Sequence, residues 1–491
     1  MFPEKTQLSP IWIDCDRAHS TGMGESAGKT ERPAQPEQPA QPELNRAIGP
    51  KLLLFFVVGD ILGTGVYALT GNVAGKIGGA LWLPFLIAFA VAFLTAFSYL
   101  ELVGKYPKAA GAALYAHRAF GVQFLTFMVA FAVMSSGITS AASAALAFGR
   151  TYLQSVLREF SSDSVTVSAS LVAVLFILGL AVVNLRGVSE SVKANVVLTC
   201  IEVSGLLIII VIGALAVASG DGDPSRLVQI DPAPGQSALI AITSATSLAF
   251  FAMVGFEDSV NMAEECRDPV RIFPRAVLWG MGIAALIYVL VAVTSSLLIP
   301  ADELAASGSN ALLKVVQVGA PSFPLWVFSL IGLFAVINSA LINMLMASRL
   351  VYGMAGERII PRFFGVVHPT RRTPWVSVLF TTGVAIALVL TTDIAKLGGT
   401  TALLLLVVFA IVNVAVLVLR KDRADHEHFR APTIVPVLGA LTCAYLASPL
   451  SGRPSADYLV ALYLLLAGLV LWLINRVTHG VVEVDPAKLG K

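Results

Sequence analysis

Long apolar segments follow one another through nearly the whole chain after Pro50. We count about twelve, each long enough to cross the ~30 Å hydrocarbon core of a bilayer. Of the 491 residues, 56% are hydrophobic and 13% are charged, whereas soluble domains carry about 25% charged residues. Because backbone polar groups in lipid must be satisfied within the protein, these segments predict an all-α integral membrane protein.

The two ends of the chain differ from this apolar middle. Residues 1–45 are polar and rich in Pro and Gln, which is typical of a disordered tail. We expect residues 46–480 to form the transmembrane domain and residues 481–491 a short C-terminal tail. The loops carry about seventeen Lys and Arg residues on one side and about seven on the other, so both tails are expected in the cytoplasm and the protein in the cytoplasmic membrane.

Polar and helix-breaking residues stand in the middle of the first apolar segment, which covers residues 50–74. A glycine costs a helix about 1 kcal/mol relative to alanine, and a carboxylate in mid-bilayer costs at least ~2.5 kcal/mol. The residues concerned are Gly59, Asp60, Gly63, Thr64 and Gly65. Irregular backbone is tolerated at this depth where it faces protein or water. A helix broken at residues 63–65 and lining a polar cavity is therefore predicted, with a glycine-rich packing face as the alternative.

The sixth apolar segment, residues 238–262, is interrupted in the same way. Gly255 follows the aromatic pair Phe250 and Phe251 and precedes Phe256 and Glu257. Interruptions at corresponding positions in two halves of a chain are typical of transporters built from inverted repeats. Two repeats of five helices, with two additional helices, would account for about twelve spans.

A broken helix leaves free N–H groups at the start of one half and free C=O groups at the end of the other. The N–H end attracts an anion and the C=O end attracts a cation. These are the two charges of an amino acid. The substrate-binding residues expected from this pattern are Val58, Gly63, Thr64, Gly65, Phe250, Phe251, Gly255 and Phe256.

Three of the carboxylates inside apolar segments are candidates for a functional role, namely Asp60, Glu202 and Glu257. Burial disfavours the charged form of a carboxylate, so each is a candidate for proton coupling. Asp60 would also favour cationic or amine-rich substrates. The structural alternatives are a protonated Asp60 bonded to a neighbouring helix, a protonated Glu202 bonded to a backbone carbonyl, and a Glu257 that caps neighbouring backbone.

The eighth segment contributes a further polar face. Ser339 and Asn343 are four residues apart and share a face of the predicted helix. They could line the central cavity or join helices through hydrogen bonds, and we favour the cavity. For Asn338 we favour a role in joining helices.

With both interruptions in view, the chain resembles the amino acid–polyamine–organocation transporter superfamily. The resemblance rests on residues 59–67 (GDILGTGVY), residues 250–257 (FFAMVGFE), the loop motif through residues 98–121, and a weaker match at residues 348–355. It implies a LeuT-like fold, a 5+5 inverted repeat with discontinuous helices 1 and 6. It also implies Phe251 as an outer gate, and it places Glu202 between helices 1 and 8, where relatives carry a lysine or bind sodium.

The function indicated is secondary transport of amino acids or related amines by alternating access, coupled to protons or sodium or operating by exchange. A cationic amine or polyamine antiporter is the alternative within this class. A channel or receptor-like sensor is less favoured, since no filter motif and no sizeable soluble domain is recognisable. We recognise no enzyme active site, metal site, cofactor motif or nucleic-acid-binding cluster.

Overall fold

The computed structural model describes residues 49–106, 111–160, 168–186, 191–356, 360–371, 373–422 and 426–479, so both predicted tails lie outside the described residues. The α-helices are α1 Pro50–Ile61, α2 Thr64–Ile77, α3 Trp82–Lys105, α4 Gly111–Phe120, α5 Gln123–Ala147, α6 Gln154–Phe160, α7 Ala169–Arg186, α8 Ser191–Ser219, α9 Ala238–Ala249, α10 Pro269–Leu298, α11 Ala301–Ser307, α12 Ala311–Gly319, α13 Leu325–Gly356, α14 Trp375–Thr391, α15 Ile394–Leu419, α16 Ile434–Ala447 and α17 Ser455–His479.

The all-α membrane fold expected from the sequence is confirmed. Ten helical segments within the described ranges are long and apolar enough to cross a bilayer, and α14 and α16 are shorter apolar helices. The third span is longer than expected, because a π-helical turn at Phe148–Leu153 joins α5 to α6. The chain is thus a multi-pass membrane protein, and two of the about twelve predicted spans, α14 and α16, are shorter than the others.

Both predicted interruptions are present, with extents that differ from the prediction. The first span is interrupted only at Leu62 and Gly63, and Gly65 already belongs to the first turn of α2. The sixth span is irregular over a longer stretch. After α9 it continues as a 3₁₀ turn at Phe250–Met253, and Gly255 adopts a φ of 126°, which is accessible mainly to glycine.

The two interruptions lie directly against each other. A Cβ atom at Gly65 would lie 2.4 Å from the Cα of Ala252, and a Cβ at Gly255 would lie 2.8 Å from the carbonyl oxygen of Asp60. Neither position can therefore hold a larger residue without separating the two backbones. A bulky residue at Gly65 would displace the 3₁₀ turn Phe250–Met253 as well as fill the space between the two interruptions.

Polar side chains also join the surrounding helices. Asn413 of α15 donates hydrogen bonds to Thr95 Oγ1 at 2.9 Å and to the Phe409 carbonyl at 2.8 Å, and it accepts one from Ser98 at 2.6 Å. At the end of α15, Arg420 forms a two-pronged ion pair with Glu101 at 2.8 and 2.7 Å. Hydrogen bonding to Glu101 raises the pKa of Arg420, so the guanidinium stays charged.

A second ion pair lies buried at the start of α17. Arg453 donates to Asp457 at 3.2 Å, to the Gly399 carbonyl of α15 at 2.6 Å and to the Ser247 carbonyl of α9 at 3.1 Å. The side chains of Arg453 and Asp457 are 1% and 5% exposed. This arginine therefore connects the half-helix α9 to α15 and α17.

We predict that Arg453→Met lowers stability by about 3–5 kcal/mol, because it leaves Asp457 buried without its cation. The measurement is the apparent melting temperature of the detergent-purified protein, followed by size-exclusion chromatography. Lys396→Met is the matched control, since it breaks an exposed pair with Asp393. Adding Asp457→Leu should recover part of the loss. Equal melting temperatures for Arg453→Met and the control would contradict a stabilising role of the buried pair.

Candidate functional site

A small polar cavity lies where the two interruptions meet. The volume of this cavity is about 20 Å³, which is room for about one water molecule. An amino acid would therefore need the surrounding helices to move apart. The cavity is lined by Asp60, Ile61, Gly63, Thr64, Gly65, Ser140, Phe251, Val254, Gly255, Asp258, Ser339 and Asn343.

The N-terminus of α2 supplies the anion-attracting end of this cavity. The first N–H groups of a helix have no acceptor within it, and the N-cap residue of α2, Gly63, has no side chain that could accept from them. Thr64 is 2% exposed, lines the cavity, and its hydroxyl finds no hydrogen-bond partner among the described residues. Helix N–H groups and an unpaired hydroxyl thus point to a ligand with acceptor atoms.

The carbonyl end of the first half-helix is partly occupied by the protein's own donors. The Val58 carbonyl accepts the Leu62 N–H at 2.9 Å, and Val58 does not line the cavity. The Ile61 carbonyl accepts the Tyr288 hydroxyl at 2.5 Å. Asp60 is the polar group that this end presents to the cavity, and its Oδ2 has no hydrogen-bond partner among the described residues.

The three phenylalanines expected at the second interruption separate into two roles. Phe251 lines the cavity and lies against Gly398 of α15, where a Cβ would be 3.5 Å from its ring. Phe250 and Phe256 instead pack on Phe409, with ring centroids 5.9 and 5.3 Å apart. Phe250 and Phe256 therefore hold the second interruption in position by aromatic packing.

The acidic residues after the interruption also differ from each other. Glu257 does not line the cavity, and its Oε2 accepts the Gly255 N–H at 2.9 Å. This is the capping arrangement that the sequence left open as the alternative. The next residue, Asp258, lines the cavity, as does Ser140 of α5, and sequence reasoning selected neither. The adjacency of two acids after Gly255 was the signal that could have identified Asp258.

The predicted polar face of the eighth span reaches the site. Ser339 and Asn343 both line the cavity, and the amide of Asn343 donates to the Ser339 carbonyl at 2.9 Å. A Cβ at Gly63 would lie 2.9 Å from Ser339 Oγ, so α13 approaches the first interruption closely. The hydroxyl and amide groups of α13 therefore face the two broken helices.

Glu202 lies outside the cavity, in a second polar cluster. It is fully buried, and no described residue meets its carboxyl oxygens in regular hydrogen-bond geometry, although the side-chain amide of Asn338 lies close enough to act as a donor to them. The Tyr67 hydroxyl donates a hydrogen bond to the backbone carbonyl of Glu202 at 2.6 Å. One turn earlier in α8, the Thr199 hydroxyl lies against the backbone of Gly59. The cluster thus lies between α1, α8 and α13.

Comparison with known proteins agrees with this architecture. The model of the amino acid permease family matches residues 48–472. An uncharacterized transporter of Mycobacterium tuberculosis is 28% identical over 417 residues, covering 82% of this chain and 86% of the relative. The branched-chain amino acid permease of Bacillus subtilis is 24% identical over 455 residues, covering 89% and 94%.

A third relative is the methylthioribose transporter of Bacillus subtilis, which is 25% identical over 458 residues and is matched over 88% of this chain and 94% of its own. These relatives are transporters, and the family match extends over both interrupted spans and nearly all the described helices. The chain therefore belongs to the amino acid permease family and is a secondary amino acid transporter.

Proposed function

We propose that this transporter holds the charged head of an amino acid or related amine between its two interrupted helices and moves it by alternating access. The observation that carries the proposal is the uncapped N-terminus of α2, with the unpaired Thr64 hydroxyl, opposite Asp60 in one buried cavity. The substrate carboxylate would receive hydrogen bonds from the N-terminus of α2 and Thr64, and the substrate ammonium would pair with Asp60.

The small volume of the cavity fits a transport cycle. Because the described conformation has room for about one water molecule, substrate entry requires α2 and the segment after α9 to separate from α5 and α13, which supply the rest of the lining. Phe251 lies between the cavity and α15, so its movement would open or close one access route. We assign Phe251 as the aromatic gate of this route.

For orientation, we place both termini on the cytoplasmic side of the cytoplasmic membrane. The support is the excess of Lys and Arg in the loops on that side. Arg453 and Asp457 would then lie at the outer surface, where they connect α9 to the helices behind it.

Thr64→Val tests the carboxylate site. Valine keeps the shape of threonine but removes the hydroxyl, so the dissociation constant for substrate should rise roughly 10- to 100-fold. Stability should stay equal or increase, because no protein hydrogen bond is lost. Binding of a radiolabelled amino acid panel to purified protein measures the first quantity, and the apparent melting temperature measures the second.

Thr70→Val is the matched control in the same helix, since the Thr70 hydroxyl already donates to the Val66 carbonyl at 2.6 Å. Its substrate affinity should equal that of the unmodified protein. Unchanged affinity in Thr64→Val, or an equal loss in both variants, would count against the carboxylate site.

We further propose that Glu202 couples transport to a proton. A buried carboxyl group without a cation is tolerated in its neutral form. Glu202 lies one turn after Thr199, whose hydroxyl lies against Gly59, the neighbour of Asp60 in α1. A proton leaving Glu202 would place a negative charge behind the first interruption. That charge would change how strongly the cavity attracts a cation.

Glu202→Gln tests this coupling, because glutamine resembles the protonated acid but cannot release a proton. In proteoliposomes, accumulation driven by an imposed pH gradient should disappear, while substrate exchange at equal pH survives. Glu303→Gln, an exposed acid on α11, is the control and should accumulate substrate normally. Undiminished accumulation in Glu202→Gln would remove this residue from the mechanism and leave Asp60 and Glu257 as candidates.

A further inference from the structure

The connection between α16 and α17 packs closely against α9, the half-helix that precedes the second interruption. Thr243 Oγ1 of α9 donates to the Ser451 carbonyl at 3.0 Å, and Ser247 Oγ donates to the Leu446 carbonyl at 3.3 Å. Gly452 adopts a φ of 77°, and a Cβ there would lie 2.5 Å from a side chain of α9. A movement of α9 therefore has to break or carry along these contacts.

The first turn of α17 packs in the same way against α15. A Cβ at Gly399 of α15 would lie 2.3 Å from the Oδ2 atom of Asp457, and Thr400 donates to the Asp457 carbonyl at 3.5 Å. The residue before Gly399 is Gly398, where a Cβ would lie 3.5 Å from the ring of Phe251. The part of α15 that α17 contacts is thus the part that Phe251 closes against.

Arg453 lies between these two sets of contacts and joins them. Its guanidinium donates to the Ser247 carbonyl of α9 at 3.1 Å and to the Gly399 carbonyl of α15 at 2.6 Å, while it also donates to Asp457 at 3.2 Å. The side chain is buried, and hydrogen bonds from a charged donor are stronger than those between neutral groups. The two helices therefore cannot separate at this point without breaking one of these bonds.

We propose that residues 446–457 form a bracket that keeps the access route beside Phe251 closed, and that Arg453 positions α9 against α15. The route opens when the carbonyl of Ser247 or of Gly399 leaves the guanidinium. This inference depends on the proposed gate at Phe251. It concerns the movement of the helices and not substrate recognition, since no residue of the bracket lines the cavity.

Water makes such a bracket reversible. When α9 and α15 separate, water enters the space between them and replaces the lost carbonyl as an acceptor, because water-mediated hydrogen bonds are nearly as favourable as direct ones. The guanidinium also keeps its pair with Asp457. The bracket therefore favours the closed arrangement without making it permanent.

Arg453→Lys tests the bracket, because lysine keeps the positive charge beside Asp457 but lacks the planar fork with which arginine reaches two carbonyls at once. The reporter is Ser140→Cys, at a position that lines the cavity. The full chain is labelled in intact cells with a bulky, membrane-impermeant maleimide, and the same variant without the introduced cysteine serves as the blank. Arg453→Lys should raise the labelling rate about tenfold or more, since it removes a charge-assisted hydrogen bond from the closed state only.

Arg420→Lys is the matched control at the opposite end of α15, where Arg420 forms its two-pronged pair with Glu101. It should lower the apparent melting temperature without raising the labelling rate in intact cells. Thr243→Val is a milder variant of the bracket that keeps Arg453 and removes one link to α9. It should raise labelling about two- to tenfold, and it decides the question if Arg453→Lys does not fold.

Phe251→Ala examines the gate separately and should raise labelling while Arg453 is intact. No rise in this variant, together with a rise in Arg453→Lys, would contradict the proposed gate and support the bracket. A rise in Arg453→Lys that occurs only in inside-out vesicles would reverse the proposed orientation and also support the bracket.

Two results would overturn the inference. The first is unchanged labelling from both sides of the membrane in the folded bracket variants Arg453→Lys and Thr243→Val. The second is an equal rise in Arg420→Lys, which would show that loss of either ion pair loosens the protein in general. Absence of transport for every amino acid and amine would instead contradict the proposed function, because the labelling measurement requires no substrate.

Discussion

Backbone meets backbone where the two interrupted spans cross, at Gly65 against Ala252 and at Gly255 against the Asp60 carbonyl. In a bilayer, irregular backbone is tolerated only where protein or enclosed water covers it, so each interruption provides the environment that the other requires. The aromatic packing of Phe250 on Phe409 and the Glu257 cap on Gly255 keep the second interruption in place. The cavity, its polar lining and the proposed transport cycle all depend on this crossing.

Several unpaired polar atoms lie around this crossing. Asp60 and Thr64 on the cavity side, and Thr199, Glu202 and Asn338 behind α1, each retain a buried donor or acceptor without a partner among the described residues. Each such group costs about 1–3 kcal/mol. That cost is understandable where a substrate or a proton supplies the missing partner during the cycle, and apolar packing and ion pairs elsewhere in the protein offset it.

The ion pairs lie at the ends of the helices, away from the cavity. Arg420 and Glu101 fasten α15 to α3 at one end, while Arg453 holds α9 and α15 at the other through backbone carbonyls. Because Arg453 contacts α9 through Ser247, only a few residues before the second interruption, it limits how far this half-helix can move. Breaking that contact would be expected to affect both stability and the position of Phe251.

The sequence by itself determined the all-α membrane fold and the two interrupted helices, because apolar length, glycine and a buried carboxylate are local properties with large free energies in lipid. It also indicated that Asp60, Thr64, Ser339 and Asn343 belong to one cavity. Only the tertiary structure decided that Phe250 and Phe256 pack away from this cavity and that Asp258 enters it. Those outcomes depend on how the segment after α9 turns at Gly255 against α1, and that turn is set by contact between residues almost two hundred positions apart, which no local pattern encodes.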